Sequence, residues 1–281
     1  MTSRAHPWRG NPLLRVFVGL LVTLVFGEGA VLAAEAVFGS GPVVTPVAVL
    51  LGVVVAYASY LVVLVRLMEG RRAAAELDLR GAPGEWLVGI GLGGGLLLVA
   101  VGTIAALGGA HLAPGGTAGD AAMTAFAMAV LPGFVEELAF RGVLLRIVER
   151  SLGTWHALAL SSLCFGFVHM LNDHATLWSS LAITMEAGVL LGAVYLLTRR
   201  LWACVGIHLG WNLAQGWLGL SVSGNVPPSG LCSVRLDGPE LLTGGAFGPE
   251  ASAVTVAMAT AAGGWTLWRA HRAGSWVDYR L

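Results

Sequence analysis

Residues 43–65 contain no charged side chain, and apolar runs of comparable length recur from residue 13 to residue 268. A bilayer core takes about 20 apolar residues of helix to cross. Within it every backbone N–H and C=O must be satisfied inside the protein, which leaves helices as the natural reading of such runs. Composition agrees, because 56% of the chain is hydrophobic and 11% is charged, against about 25% charged in soluble domains. The expected fold class is an all-α integral membrane protein, a bundle of about eight transmembrane helices with a central polar cavity. Residues 1–281 are expected to form a single polytopic membrane domain, with a functional core at about 120–220.

The runs fall at residues 13–38, 43–68, 86–107, 120–150, 155–171, 177–197, 201–220 and 251–268. The first follows a polar start and is read as a span rather than a cleaved leader, since Glu28 interrupts it. Between the second and third, residues 69–85 carry Arg71, Arg72, Glu76, Asp78 and Arg80 and read as an aqueous loop. The fourth is too long for one crossing at about 1.5 Å per residue. Its end, 142–150, sets Val143, Leu144, Ile147 and Val148 against Arg146, Glu149 and Arg150 and is expected to lie in the interface. Residues 221–249 are rich in Gly, Pro and Ser and read as a loop.

Eight crossings put both termini on one side. With that side cytoplasmic, the arginines from Arg4, Arg9 and Arg15 to Arg269, Arg272 and Arg280 fall at cytoplasmic ends, leaving Arg235 outside and Arg141 within a span. Such an asymmetry gives orientation and does not suggest a nucleic-acid surface. Cys164 and Cys204 read as small buried hydrophobes, Cys232 stands alone in a loop, and no disulfide framework is implied.

Three places put polar groups inside these helices. Glu136, Glu137 and Arg141 lie in the fourth run, and on a helix Glu137 and Arg141 stand at i and i+4, the favourable order for an ion pair. Glu136 lies about 100° around the helix from Glu137. One carboxylate is therefore neutralised while the other stays free to act as a general base. His169 closes the fifth run, and His208 and Asn212 share one face of the seventh, with Gly206 and Gly210 allowing close helix packing. Measured along their helices, Glu136 and His169 are expected near mid-membrane and His208 nearer the cytoplasm, around one polar cavity opening to the cytoplasm. Glu186, mid-span in the sixth run, is expected to make a structural bond, with lining this cavity as the alternative.

Glu136-Glu137-x-x-x-Arg141, Phe165-x-x-x-His169 and His208-x-x-x-Asn212, in that order on separate spans, resemble the signature motifs of the CPBP family of intramembrane glutamic endopeptidases, which includes the type II CAAX prenyl proteases. The resemblance implies that Glu136 is the general base on a water that His169 helps to bind. It also implies that His208 and Asn212 stabilise the oxyanion, and that Glu137 and Arg141 form a supporting ion pair. No cofactor and no metal are implied. The implied partners are a membrane-associated or lipidated peptide or protein substrate and the lipid bilayer.

Other readings stay open at this point. Glu136, His169 and His208 are also the ligand types of a catalytic zinc site, although no His-Glu-x-x-His is present. Intramembrane Glu and His residues also relay protons in transporters. A non-catalytic immunity or scaffolding protein on the same fold is a further alternative, since fold does not fix chemistry.

Overall fold

The computed structural model describes residues 11–227 and 229–278. Arg4, Arg9 and Arg280, used above for orientation, lie outside the described residues. About 76% of the structure is helical. The long helices are α1 (Pro12–Phe38), α2 (Val44–Met68), α3 (Ala82–Ala106), α4 (Ala118–Leu171) and α5 (Leu177–Thr198), then α6 (Trp202–Trp217) and α7 (Ala253–Arg272). Helix α4 is broken at Gly153, whose φ of 76° and ψ of 170° suit a glycine and interrupt the helical course. Divided there, α4 gives two rods. Five helices, α1 to α5, are long and apolar enough to cross a membrane; α6 is shorter and α7 less apolar.

Polar residues sit where the helices begin. Asn11 accepts from the Leu13 and Leu14 amides ahead of α1, Thr117 caps α4, Thr176 and Ser179 form a reciprocal box on α5, and Ser252 caps α7. Each supplies an acceptor for amides that the first helical turn leaves unpaired. Many large apolar side chains point outward, among them Leu50, Leu51 and Val54 of α2 and Leu92, Leu98 and Val99 of α3. That exposure fits a lipid surface, since soluble monomers rarely show extended apolar patches. Cys164 also faces outward, so it is not the buried hydrophobe expected; Cys204 is buried.

Helices α3 and α6 touch backbone to backbone. A Cβ at Gly93 would overlap the Ile207 carbonyl, one at Gly206 the Trp86 carbonyl, and one at Gly210 the Ile90 carbonyl. The small residues thus fix the rotation of α6 and direct His208 and Asn212 to its other side.

One end of the bundle gathers the arginines. Glu69, at the end of α2, accepts from Arg15 Nη2 at 2.8 Å, Arg71 Nε at 2.6 Å and Arg146 Nη2 at 3.0 Å. Glu76, 3% exposed, accepts from both Arg71 Nη atoms and from the Tyr60 hydroxyl. Glu149 accepts from Arg199 and from Thr154 Oγ1. Two expectations are corrected here. Residues 69–85 are not simply an aqueous loop, because Glu76 is drawn inside by its arginine partners. Residues 142–149 do not lie on an interface either, since all are buried under α1, α2 and α5, their charges met by partners inside the protein. The amphipathic spacing is real, but its polar face meets other helices instead of lipid headgroups.

The opposite end carries two pieces of extended chain, β1 (Ala110–Pro114) and β2 (Cys232–Leu236), paired antiparallel with Ala110 opposite Leu236. Residues 221–249 are therefore more than a loop. They hold β2, a helical turn Glu240–Thr243, and packing against the ends of α4, α5 and α7.

Candidate active site

Pro132 lies inside α4 without ending it, and the helix runs on to Glu137 before wider, i to i+5, turns from Leu138 to Leu145. A proline has no N–H, so it frees the carbonyl four residues earlier. That carbonyl belongs to Met128, and Asn212 Nδ2 donates to it at 3.2 Å. The bond ties α6 to α4 and fixes the plane of the Asn212 amide, leaving its second N–H for the cavity.

Glu137 and Arg141 are both fully enclosed. Arg141 Nη1 donates to Glu137 Oε1 at 2.8 Å, while Nη2 donates to the Ala187 and Gly188 carbonyls at 2.9 and 3.2 Å. Those carbonyls are available because α5 also widens from Thr184 to Gly188. Arg141 Cζ stands 4.4 Å from the centroid of the Phe165 ring. The Glu137–Arg141 pairing anticipated from the i, i+4 spacing thus forms, and it has a third member, because Glu137 Oε1 lies 2.9 Å from His208 Nδ1.

His169 sits in the single tight turn that ends α4, not at mid-helix. Its Nδ1 donates to the Phe165 carbonyl at 2.7 Å. In the neutral ring Nε2 then carries the lone pair, and it lies 4.0 Å from Glu136 Oε2. That oxygen is buried and has no hydrogen-bond partner among the described residues. Phe165 packs between the two imidazoles, with centroids 4.9 Å from His169 and 6.0 Å from His208.

A cavity of about 210 Å3 is lined by Met128, Pro132, Glu136, His169, Asn172, His208, Asn212, Val222, Ser223 and Asn225. The structure therefore brings Glu136, His169, His208 and Asn212 to one cavity, with Glu137 and Arg141 behind His208. A smaller inner recess of about 30 Å3, the scale of a water molecule, continues past His169, His208 and Asn212 to Glu186 and Glu250.

Two sequence expectations change. The cavity does not open toward the arginine end: its remaining walls are Asn172 and residues 222–225, at the end that carries β1 and β2. His169 is at a helix terminus, so no further turn separates it from that end. Among the described residues Glu186 makes no structural bond: both its carboxylate oxygens are buried without a hydrogen-bond partner there, and it lines the recess.

Sequence reasoning missed Asn172, Ser223 and Glu250. Asn172 Nδ2 donates to the Ser223 carbonyl at 2.9 Å, and Glu250 accepts from Trp211 Nε1 at 3.2 Å and from the Ser223 amide and hydroxyl. Burial pushes the Glu250 carboxyl above the usual carboxylate range, opposed in part by these bonds. Its one sequence signal is its position directly before the last apolar run. Among the described residues, no three His, Cys, Asp or Glu side chains converge in a way that could hold a metal ion.

Residues 118–214 match the family model described as type II CAAX prenyl endopeptidase Rce1-like. Over these residues the chain is similar to that family. No curated protein and no solved structure matches the chain. The Rce1-like segment begins with α4 and ends just past Asn212, so it contains Glu136, Glu137, Arg141, His169, His208 and Asn212. Helices α1 to α3, β2, Glu250 and α7 lie outside it. The match supports a peptidase, a hydrolase, and together with the apolar helices an integral membrane protein.

Proposed function

We propose that the chain is an intramembrane endopeptidase that hydrolyses a peptide bond in a membrane-associated polypeptide, using Glu136 as general base. The observation that carries this reading is the pair of Glu136 Oε2 and His169 Nε2, 4.0 Å apart, both acceptors, on two residues that line the cavity. A water hydrogen-bonded to each at about 2.8 Å would bridge the two, donating one proton to each acceptor. As its oxygen bonds to the substrate carbonyl carbon, its proton passes to Glu136. When the C–N bond breaks, the same carboxyl returns the proton to the leaving nitrogen.

Charge develops on the carbonyl oxygen in between. Protonated His208 donates Nδ1–H to Glu137 and offers Nε2–H to the cavity. Arg141 and His208 then balance Glu137 and Glu136. The free N–H of Asn212 supplies the second oxyanion donor, held in place by the Met128 carbonyl. A donor of this kind is worth about 10² to 10³ in rate because it acts only as charge forms.

The test is a comparison of newly formed termini among membrane proteins in cells carrying wild type or Glu136→Gln. Termini present with wild type and lost with the variant, at equal amounts of folded protein, are the expected result. Identical termini in both would sink the peptidase reading and favour a non-catalytic membrane protein on the same fold.

A further inference from the structure

Every described arginine except Arg141 and Arg235 stands at one end of the bundle, from Arg15 in the first turn of α1 to Arg272 at the close of α7. The loops at the other end, 39–43, 107–117, 172–176 and 218–252, contain only Arg235. Short loops rich in arginine are retained on the cytoplasmic side, and this bias sets orientation. The arginine end is therefore cytoplasmic.

The cavity belongs to the other end. Asn172 follows the last turn of α4, and Val222, Ser223 and Asn225 come from the loop after α6; together they form the outer wall around Glu136 and the histidines. Toward the arginines the way is blocked, because residues 138–149 are all buried and Arg141 fills the space beneath His208. A polypeptide reaching Glu136 from the arginine end would have to displace this packed layer and the Glu137–Arg141 pair.

We propose that the cavity is entered from the non-cytoplasmic side, so that the substrate is a membrane-anchored polypeptide whose cleaved bond lies on that side, not a cytoplasmic lipidated tail. The substrate assignment rests on the peptidase reading; the direction of entry does not. The inference separates this chain from what its family description alone suggests, and it follows from where the arginines and the cavity walls lie.

Two measurements test it. In a chain with Cys164, Cys204 and Cys232 replaced by serine, Asn225→Cys marks the cavity wall and Arg72→Cys the arginine end. A membrane-impermeant maleimide added to intact cells should label the first at least tenfold more than the second, with the order reversed in inside-out vesicles. Asp237→Cys, exposed on the ribbon at the cavity end, reports the same side should Asn225→Cys not fold. In the second measurement, single-span fusion proteins display randomised segments beside the membrane on one side or the other. Wild type, and not Glu136→Gln, should cut only segments on the non-cytoplasmic side. Labelling of Arg72→Cys from outside, or cutting confined to cytoplasmic segments, overturns the inference and leaves the peptidase reading standing. Correct labelling with no cutting on either side overturns the peptidase reading and the substrate assignment with it, while the direction of entry holds.

Discussion

His208 Nδ1 lies 2.9 Å from the Glu137 oxygen that also accepts from Arg141. The ion pair between neighbouring turns of α4 therefore reaches the imidazole on α6, and the proposed function gives Glu137 two tasks. Glu137→Ala leaves Arg141 enclosed without a counter-charge, which costs about 3 to 5 kcal/mol for a buried pair broken on one side. It also frees the imidazole, so any folded fraction should turn over far more slowly than wild type. Glu136→Gln should keep its thermal midpoint in detergent within a degree or two and lose turnover. Melting curves and rates measured on the same preparations decide this, and a stable, active Glu137→Ala protein would refute the linkage.

A different prediction comes from Pro132. Its missing N–H is what leaves the Met128 carbonyl for Asn212. Pro132→Ala restores a backbone donor at that carbonyl and removes a helix-disfavouring residue, so α4 should be as stable or more so. The Asn212 amide then loses its anchor, and kcat should fall about tenfold with little change in KM. Asn212→Ala should fall further, by about 10² to 10³ in kcat. Equal kcat in Pro132→Ala and wild type would show that the Met128 bond does not position the amide.

The arginine end should make stability depend on acid. Burial alone would raise the Glu76 carboxyl, but hydrogen bonds from Arg71 and Tyr60 and the charge of Arg146 outweigh it and hold the pKa at about 2. Glu69 is lowered for similar reasons by Arg146 and Arg71 against its own burial. With Glu76 near 4.5 in the unfolded chain, its contribution is complete above that value and fades as pH falls toward 2. The shift corresponds to about 3 kcal/mol. Glu76→Gln should therefore destabilise the protein strongly at neutral pH and much less near the acid end of that window. A gap between variant and wild type that does not narrow on acidification would disprove the role assigned to these bonds.

How far the sequence reached follows from the range of each interaction. Apolar runs and the i, i+4 pair are local, so the helices and the Glu137–Arg141 contact were legible. Close packing of α6 was signalled by Gly206 and Gly210, but not that α3 is the helix it meets. What escaped were partnerships set by loops folding back: Glu76 with Arg146, Ser223 with Asn172 and Glu250, and Asn172 and residues 222–225 walling the cavity. Polar residues in a long connection look solvated in sequence, and only the path of the chain shows that Glu250 is buried against Trp211. Glu186 was misjudged because the widened turn at Thr184–Gly188, which points its carboxyl into the recess and its neighbours' carbonyls at Arg141, leaves no pattern in the residue types.

Metal dependence separates the two hydrolytic mechanisms that the residue types allow. A zinc site would use His208 Nε2 as a ligand with Nδ1–H held by Glu137, whereas the glutamic mechanism uses the same imidazole, with Asn212 tied to the Met128 carbonyl, as an oxyanion donor. Under the glutamic mechanism the purified protein should carry well under one equivalent of zinc by elemental analysis and keep its activity after treatment with a membrane-compatible chelator. Asn212→Ala should then lower kcat far more than substrate affinity, since its hydrogen bond strengthens only as charge develops. Zinc binding is linked to deprotonated ligands and is reversible, so a metalloenzyme would be silenced by the chelator and restored by added zinc. Stoichiometric zinc with that reversal would replace Glu136–His169 water activation with metal-bound water, while keeping the same residues around the cavity.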